Sequence, residues 1–519
     1  MQYAATWTED SGGGKAVPLG LYLGAHDPDS RLQLITATGS YLSDITAPPA
    51  GSHPPGTAGM RYYHFPDDLI DTSPTADFHL PYAVMIAGFV GDWYDASMIH
   101  RAWALRDASW TKAGNLTTRA LTEPGYPHWI ANAPFWTNCA GYNCYLNLSK
   151  HIEPNVVSNN IALRKLLQIN GSMALELAKW NEEAWDWGFP NFTARNTTAA
   201  ATATLERAGV RVVPYTSGRL FDPQIPDWTA DHAARFECVG VDGAPYYEKF
   251  EPSYNWSQRL MNPATSYWQT KVADLALYLR QHASFSGVYN DAVTAPPQAC
   301  GTPTTADGRH ATQLTGGSAW ADGVKQMWLQ LREKAGPGKM IMSESNAEAY
   351  IGTLHANLAL YGFTSCGHVP AFQAVYADHT VMVGALGMDI LAGHFGGTFA
   401  ATGKWSPGNP IVQDRAAYRG LLAEQLAFGS QLGWLDASQI LEFFQRPDSA
   451  DELVFTQRLI QAKTQWQLHL TTGRLLRPPR LISTGMPMLN LTGSAIQQVR
   501  FYSHLCRSFH SFWDAFGLL

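Results

Sequence analysis

Two short apolar runs in this chain each end in a carboxylate: Phe285-Ser-Gly-Val-Tyr-Asn-Asp291 and Lys339-Met-Ile-Met-Ser-Glu344. Where strands and helices alternate, a barrel presents its reactive side chains at the carboxyl ends of parallel strands. Two acids held there can serve as nucleophile and proton donor at one centre, the requirement for cleaving a glycosidic bond. Asp291 and Glu344 are therefore the candidate catalytic pair. An Asp at a strand end often only caps a helix, but the residues after Asp291 do not read as a helix start. Glu348 is the alternative partner. Ser345-Asn-Ala-Glu348 fits a capping box in which Glu348 reaches back to the Ser345 amide, and that leaves Glu344 for chemistry. Asp291 would attack as a carboxylate. Glu344, kept protonated by burial or a like-charged neighbour, would protonate the leaving oxygen and later activate water. Retention of configuration predicts carboxyl groups about 5–5.5 Å apart, and inversion a gap near 9 Å.

Seven further residues are candidate sugar contacts: Trp185, Asp186, Tyr215, Arg219, Asp222, Tyr289 and His310. Each lies at, or in the loop beyond, the carboxyl end of an expected strand, where barrels place their pockets. Asn290, beside Tyr289, could also orient a sugar. His310 has no second His or carboxylate at ligand spacing, so no metal is assigned, and no cofactor is implied.

These residues need a scaffold that alternates strand and helix. From about residue 170 the pattern does so. Strands are expected at 173–178, 211–216, 285–291 and 339–344, a later one at 369–376, and a last strand end at 433–436. Helices are expected at 193–208, from Asn262-Pro263 with Trp268, Val272, Leu275 and Leu279 on one face, at 319–335, and at 413–428. The fold class read from this is α/β: a (β/α)8 TIM-type barrel preceded by a partial β-sandwich, with a helical C-terminal segment. Residues 1–110 hold the sandwich strands (19–25, 31–35, 81–90) and a linking helix from Asp92 to about 105, capped by Asp92 with Asp95 in its first turn. Residues 111–169 read as a linker, 170–445 as the barrel, 446–480 as a long helix stopped by Gly473, and 481–519 as an atypical tail.

At 519 residues the chain is too long for one ordinary domain, and its net charge of −7 argues against a nucleic-acid partner. No apolar run approaches the ~20 residues of a membrane span. Trp 18, Tyr 22 and Phe 22 supply flat faces suited to sugar rings, although most such rings form core. Cys139 and Cys144 are close enough for a local disulfide, and free buried thiols are an equal alternative. Seven N-x-S/T sequons (Asn115, Asn147, Asn170, Asn191, Asn196, Asn255, Asn490) point to a secreted glycoprotein. The amino terminus carries no leader pattern. Together these features suggest a fragment or an incomplete gene model.

Several stretches match a known family in order: Gly20-Leu-Tyr-Leu-Gly-Ala-His-Asp-Pro28, Gly91-Asp-Trp-Tyr-Asp-Ala96 with Arg101 and Trp103, and Val213-Pro-Tyr-Thr-Ser-Gly-Arg-Leu-Phe-Asp222. They continue through Gly287-Val-Tyr-Asn-Asp291, Ser343-Glu-Ser-Asn-Ala-Glu348, 369–376 and 425–436. The chain resembles the DUF6259 family, which is similar to TIM-barrel glycoside hydrolases with an attached β-sandwich. The resemblance spans about residues 19–480 and implies a glycosidase acting on an oligo- or polysaccharide. It departs around His310 and ends after Pro479. A catalytically silent carbohydrate-binding barrel and a carboxylate-based polysaccharide lyase are the alternatives.

Overall fold

The computed structural model describes residues 2–7, 18–38, 59–65, 79–139, 155–178, 180–182, 188–240, 243–248, 257–294, 298, 300, 317–344, 346–359, 369–384, 397–399, 405–407 and 415–477. Trp185, Asp186, His310 and the tail 481–519 lie outside these residues.

Eight parallel strands form the centre: β6 (Phe135–Asn138), β7 (Met173–Leu177), β8 (Val210–Ser217), β12 (Gly287–Asp291), β13 (Met340–Glu344), β14 (Ala356–Leu358), β15 (Val381–Val383) and β18 (Leu432–Asp436). They pair in chain order, and a parallel bridge between Val383 and Gln431 joins the two outer strands into a nearly closed barrel. Side chains alternate across each strand. One set (Leu175, Val212, Val288, Ile341, Leu432) packs outward beneath the helices. The other set (Ala174, Val213, Tyr215, Tyr289, Met340, Met342, Ala356, Val381, Trp434) fills the interior. Burial on both faces is why the sequence reads as near-continuous apolar runs here.

The helix Ala319–Ala335 shows how one outer element forms. Trp320, Val324, Met327, Trp328 and Leu331 recur at helical spacing and are all buried, and Gly336 at φ 91° ends the helix. Asp92 caps the helix Trp93–Asp107 by accepting from the Tyr94 amide, while Asp95 accepts from the Asp92 amide.

Several expectations are corrected. The first barrel strand, β6, lies inside the segment 111–169 read as a linker, together with the helix Asn155–Leu166. The barrel therefore begins well before residue 170. The segment read as a strand at 369–376 is the helix Ala371–Tyr376. Phe372 to Tyr376 are all buried, and a helix buried all round loses the periodic signal that would distinguish it. The helix expected from Asn262 starts at Ser266, capped by the Thr265 hydroxyl, because Asn262 instead closes a turn onto the Ala264 amide. The long C-terminal helix breaks at Trp466 into Ala450–Gln465 and Gln467–Leu470.

The described residues before 90 are β-structure, but among them there are two small sheets and no sandwich is established. β1 (Tyr3–Trp7), β2 (Leu19–His26) and β5 (Ala83–Val90) make one antiparallel sheet, and β3 (Gln33–Thr38) pairs with β4 (Gly59–His64). A third, antiparallel arm leaves the barrel at the end of β8. It consists of β9 (Leu220–Phe221), β10 (Tyr247–Glu248) and β11 (Gln258–Leu260), in the order β10-β11-β9. A disulfide joins Cys238 in this arm to Cys300 beyond β12. Cys139 is also disulfide-bonded, so the free-thiol alternative does not hold there. A short antiparallel ribbon, β16 (Gly397–Phe399) with β17 (Trp405–Pro407), precedes β18.

Candidate active site

β12 and β13 pair in parallel with Tyr289 opposite Met342. Continuing that register by two residues sets Asp291 beside Glu344. Tyr289 and Met342 both face the interior, so by strand alternation the two acids also face inward, at the carboxyl mouth. The spacing between adjacent strands is about 4.8 Å, which makes the pair nearest neighbours in one layer.

The surroundings of Asp291 are specific. The Tyr215 hydroxyl donates to its Oδ2 at 3.0 Å. Oδ1 is buried without a well-formed hydrogen bond. Burial pushes the Asp291 carboxyl above the ordinary value, against the pull of the Tyr289 and Tyr215 hydroxyls, the Ala292 amide and the Arg219 charge. Ala292 has φ 60°, a left-handed conformation that a residue with a Cβ adopts at some cost. Its strain is stored one residue from the acid.

Tyr289 registers the charge density of the mouth. Burial raises its hydroxyl well above its usual value, and the charges of Asp291, Glu344 and Glu176 add to the rise. Glu176 is an acid that sequence reasoning missed. It sits on β7 between the inward-facing Ala174 and Ala178 and is almost wholly buried. A carboxylate inside an otherwise apolar strand, Met173-Ala-Leu-Glu-Leu177, was the available signal. The floor beneath is aromatic: Tyr215 and Tyr289 lie 5.9 Å apart, and Trp434 meets the edge of Tyr289 at 5.7 Å. Trp434 has φ 65° at a bulge after Gly433, where a Cβ would approach the Trp136 carbonyl oxygen to 2.3 Å.

The remaining candidates divide. Tyr215 and Tyr289 stand at the mouth. Arg219, two residues beyond the end of β8, is buried and pairs with Glu248 on β10 at 2.5 Å. The Asp222 carboxylate accepts from the amides of Gly188 and Gln224 and so closes the loop after β9. Asn290 faces the other way: it donates to the Thr216 hydroxyl and accepts from the Trp328 indole. Glu348 lies in a separate buried network. His100 and the Tyr376 hydroxyl bond its Oε2 at 2.9 and 2.8 Å, and the Gln2 amide donates to Oε1 at 2.5 Å. The capping box expected with Ser345 lies outside the described residues.

Among the described residues no group of three or more His, Cys, Asp or Glu is disposed to hold a metal ion, and no helix is long and apolar enough to cross a membrane. A cavity of about 760 Å³ lies on the outer face of the helix Ser266–His282, lined by Phe192, Phe236, Tyr267, Lys271 and Tyr278. Its Lys271 and Tyr267 are already engaged by Asp227 and Asp231, so it does not compete with the mouth as a reactive centre.

Comparison with known proteins agrees with the barrel fold. The chain is 25% identical over 454 residues to a Monosiga brevicollis protein named "Putative glycoside hydrolase 22789", covering 82% of this chain and 34% of that one. It is 22% identical over 379 residues to a Bacteroides thetaiotaomicron protein named "Putative glycoside hydrolase", covering 71% and 49%. The chain thus spans a third to a half of the length of these relatives. Among solved structures, the quadruple mutant of the alpha-N-acetylgalactosaminidase NagBb from Bifidobacterium bifidum superposes with TM-score 0.57 at 12% identity, covering 90% of this chain and 67% of that one. Its GalNAc complex matches over 87% and 66%, with TM-score 0.55 and 11% identity. At that identity the likeness establishes the fold alone. Residues 78–386, more than half of the sequence, match the family described as "Domain of unknown function (DUF6259)", and the chain belongs to that family.

Proposed function

We propose that the chain is a glycoside hydrolase working by retaining double displacement, with Asp291 as nucleophile and Glu344 as acid and base. One observation carries this reading: the two acids occupy adjacent strands, in register, both facing the barrel mouth. Interstrand spacing is close to the separation at which one carboxylate attacks the anomeric carbon directly. The Asp291 carboxylate displaces the aglycone while Glu344 gives its proton to the leaving oxygen. Glu344 then takes a proton from water, whose oxygen releases the glycosyl ester and regenerates Asp291. Tyr215 holds one Asp291 oxygen and so aims the other. The names of both curated relatives and the activity of the fold neighbour support a carbohydrate substrate.

The raised pKa of Asp291 has a kinetic consequence, because a nucleophile must be ionised. kcat/KM falls as pH drops through that raised value, so the acid limb lies above the ordinary carboxylate range. The test uses p-nitrophenyl N-acetyl-α-D-galactosaminide first, then other neutral aryl glycosides. With Glu344→Ala, added azide accelerates turnover and yields a glycosyl azide of retained configuration. With Asp291→Ala, azide yields the inverted product. Interchanged outcomes reverse the two roles, and turnover that survives both substitutions removes the assignment.

A secretory location is proposed with it. The Cys238–Cys300 disulfide persists in oxidising compartments, and the sequon residues Asn170, Asn191 and Asn196 are exposed. Enzymatic deglycosylation of the protein expressed through a eukaryotic secretory pathway should lower its mass. An unchanged mass would withdraw that support.

A further inference from the structure

The arm after β8 brings a second charged pair to the mouth. β8 ends at Ser217, in register with Asp291, and the Gly218 amide donates to the Asp291 carbonyl at 3.1 Å. Arg219 follows directly. Its guanidinium holds Glu248 Oε1, while its carbonyl accepts from the Met261 amide at the end of β11. Glu248 reaches this position through the arm alone. β10 pairs with β11, β11 with β9, and the Tyr246 amide donates to the carbonyl of Cys238, which is disulfide-bonded to Cys300. The bridge therefore fastens the strand carrying Glu248 to the chain that leaves Asp291.

Glu248 is left half satisfied. Oε1 is taken by Arg219, but Oε2 is buried with no hydrogen-bond partner among the described residues. Burial raises the Glu248 carboxyl despite Arg219, and the charge of Asp291 raises it further, so the two acids lie within electrostatic reach. A buried carboxylate oxygen without a donor is costly unless a ligand fills it. The ligand must then bring hydroxyl or amide hydrogens. Negative charge would be repelled, because Asp291, Glu344 and Glu176 all act on Tyr289 and Asp291 acts on Glu248, while Arg219, the cation that acts on Asp291, is paired with Glu248.

We propose that Glu248 is a substrate contact and specificity residue: its open oxygen accepts a hydroxyl or amide hydrogen of an uncharged sugar ring seated against Asp291, and acidic sugars are refused. The inference rests on the hydrolase reading and adds to it a class of substrate and a residue that selects it. Reduction of Cys238–Cys300 acts through the same contact by loosening the arm.

The experiment compares wild type, Glu248→Gln and Glu248→Ala on the best neutral aryl glycoside, on its monodeoxy analogues and on the matching aryl uronide. In wild type one deoxy position should lose about 100-fold or more in kcat/KM, and the uronide should be inert. In Glu248→Ala the parent substrate falls by a similar factor, while the deoxy analogue loses almost nothing further. The ratio of the two substrates is measured within one enzyme, so it is independent of how much of a variant folds. Equal losses on every analogue, an unchanged Glu248→Ala, or a wild type that accepts the uronide would overturn the inference. Cys300→Ser should raise KM in wild type but not in Glu248→Ala, and additive effects would separate the arm from Glu248. If wild type cleaves no glycoside, the hydrolase reading fails by itself. Calorimetry with free N-acetylgalactosamine, galactose and glucose then decides about Glu248, since binding unaffected by Glu248→Ala, or no binding at all, counts against it.

Discussion

Glu344 and Glu348 are only four positions apart, yet they belong to opposite kinds of environment. The barrel mouth gathers Glu176, Glu248, Asp291 and Glu344 around tyrosine hydroxyls, and Asp291 Oδ1 and Glu248 Oε2 are buried there without a well-formed hydrogen bond. At the junction between the N-terminal sheet and the barrel, Glu348 is enclosed by His100, Tyr376 and the Gln2 amide. Tyr376 in turn accepts from the Trp110 indole, and Tyr22 bonds His100. Both regions bury acids among aromatic side chains. The junction satisfies its carboxylate and thereby fastens two parts of the fold. The mouth leaves acceptors open, which destabilises the empty protein and is useful only when a ligand brings donors.

The largest effects should therefore appear on different axes. Glu344→Gln or Asp291→Asn should lower kcat by about 10⁴-fold or more and leave the melting temperature near that of wild type or above it. Glu348→Ala should destabilise by roughly 3–5 kcal/mol through unpairing a buried network, while turnover per folded molecule stays close to normal. Denaturant melts combined with active-site titration separate the two. A Glu348→Ala protein that is stable but inactive would erase the contrast.

How much of this could be read in the sequence follows the same division. Asp291 and Glu344 were legible because a barrel strand buried on both faces leaves an unbroken apolar run, and an acid at its end stands out. The helix Ala319–Ala335 was legible because its apolar stripe faces the barrel and Gly336 ends it. β14 and β15 have three residues each, too few for any period to show, and β6 has four within an aromatic loop region. Glu248 could not be found, because its place depends on a disulfide to Cys300 and on the arm pairing, both contacts between residues distant in sequence. Glu348 drew attention through a local motif, whereas its partners Tyr376, His100 and Gln2 lie 28, 248 and 346 residues away.

A subtler pair of substitutions sharpens the comparison. Tyr215→Phe removes a hydrogen bond to Asp291, and Tyr376→Phe removes one to Glu348. Hydrogen bonds to charged groups contribute about 1.5–3 kcal/mol. Tyr215→Phe should therefore cost roughly 10- to 100-fold in kcat/KM and move the acid limb to higher pH, since the hydroxyl helps to keep Asp291 ionised. Tyr376→Phe should take roughly 1–3 kcal/mol from stability and leave the pH profile unmoved. A shifted profile in Tyr376→Phe would mean that the junction reaches the reacting groups.

The smallest expected effect tests the cost of open acceptors directly. Asp291 has a folded-state pKa above its unfolded value, so the folded protein holds this proton more tightly than the unfolded chain does. Its stabilising contribution is complete below the unfolded pKa and is lost as pH rises through the folded one. At neutral pH the ionised side chain is thus a net burden on folding, and Asp291→Asn should be the more stable protein by roughly 1 kcal/mol. As pH falls through the raised pKa, wild type takes up the proton and the gap should close. Thermal melts of both proteins from neutral pH to about pH 4 would measure it. A gap of the opposite sign at neutral pH, or one that ignores pH, would mean that the mouth satisfies its carboxylates in the empty state as fully as the junction does. Glu248→Gln offers an independent check, because its pKa is also raised by burial and by Asp291. In Asp291→Asn that second charge is gone, so the stabilisation gained from Glu248→Gln should be smaller there than in wild type. Such non-additivity is what two carboxylates in one cavity impose and two separate surface acids do not.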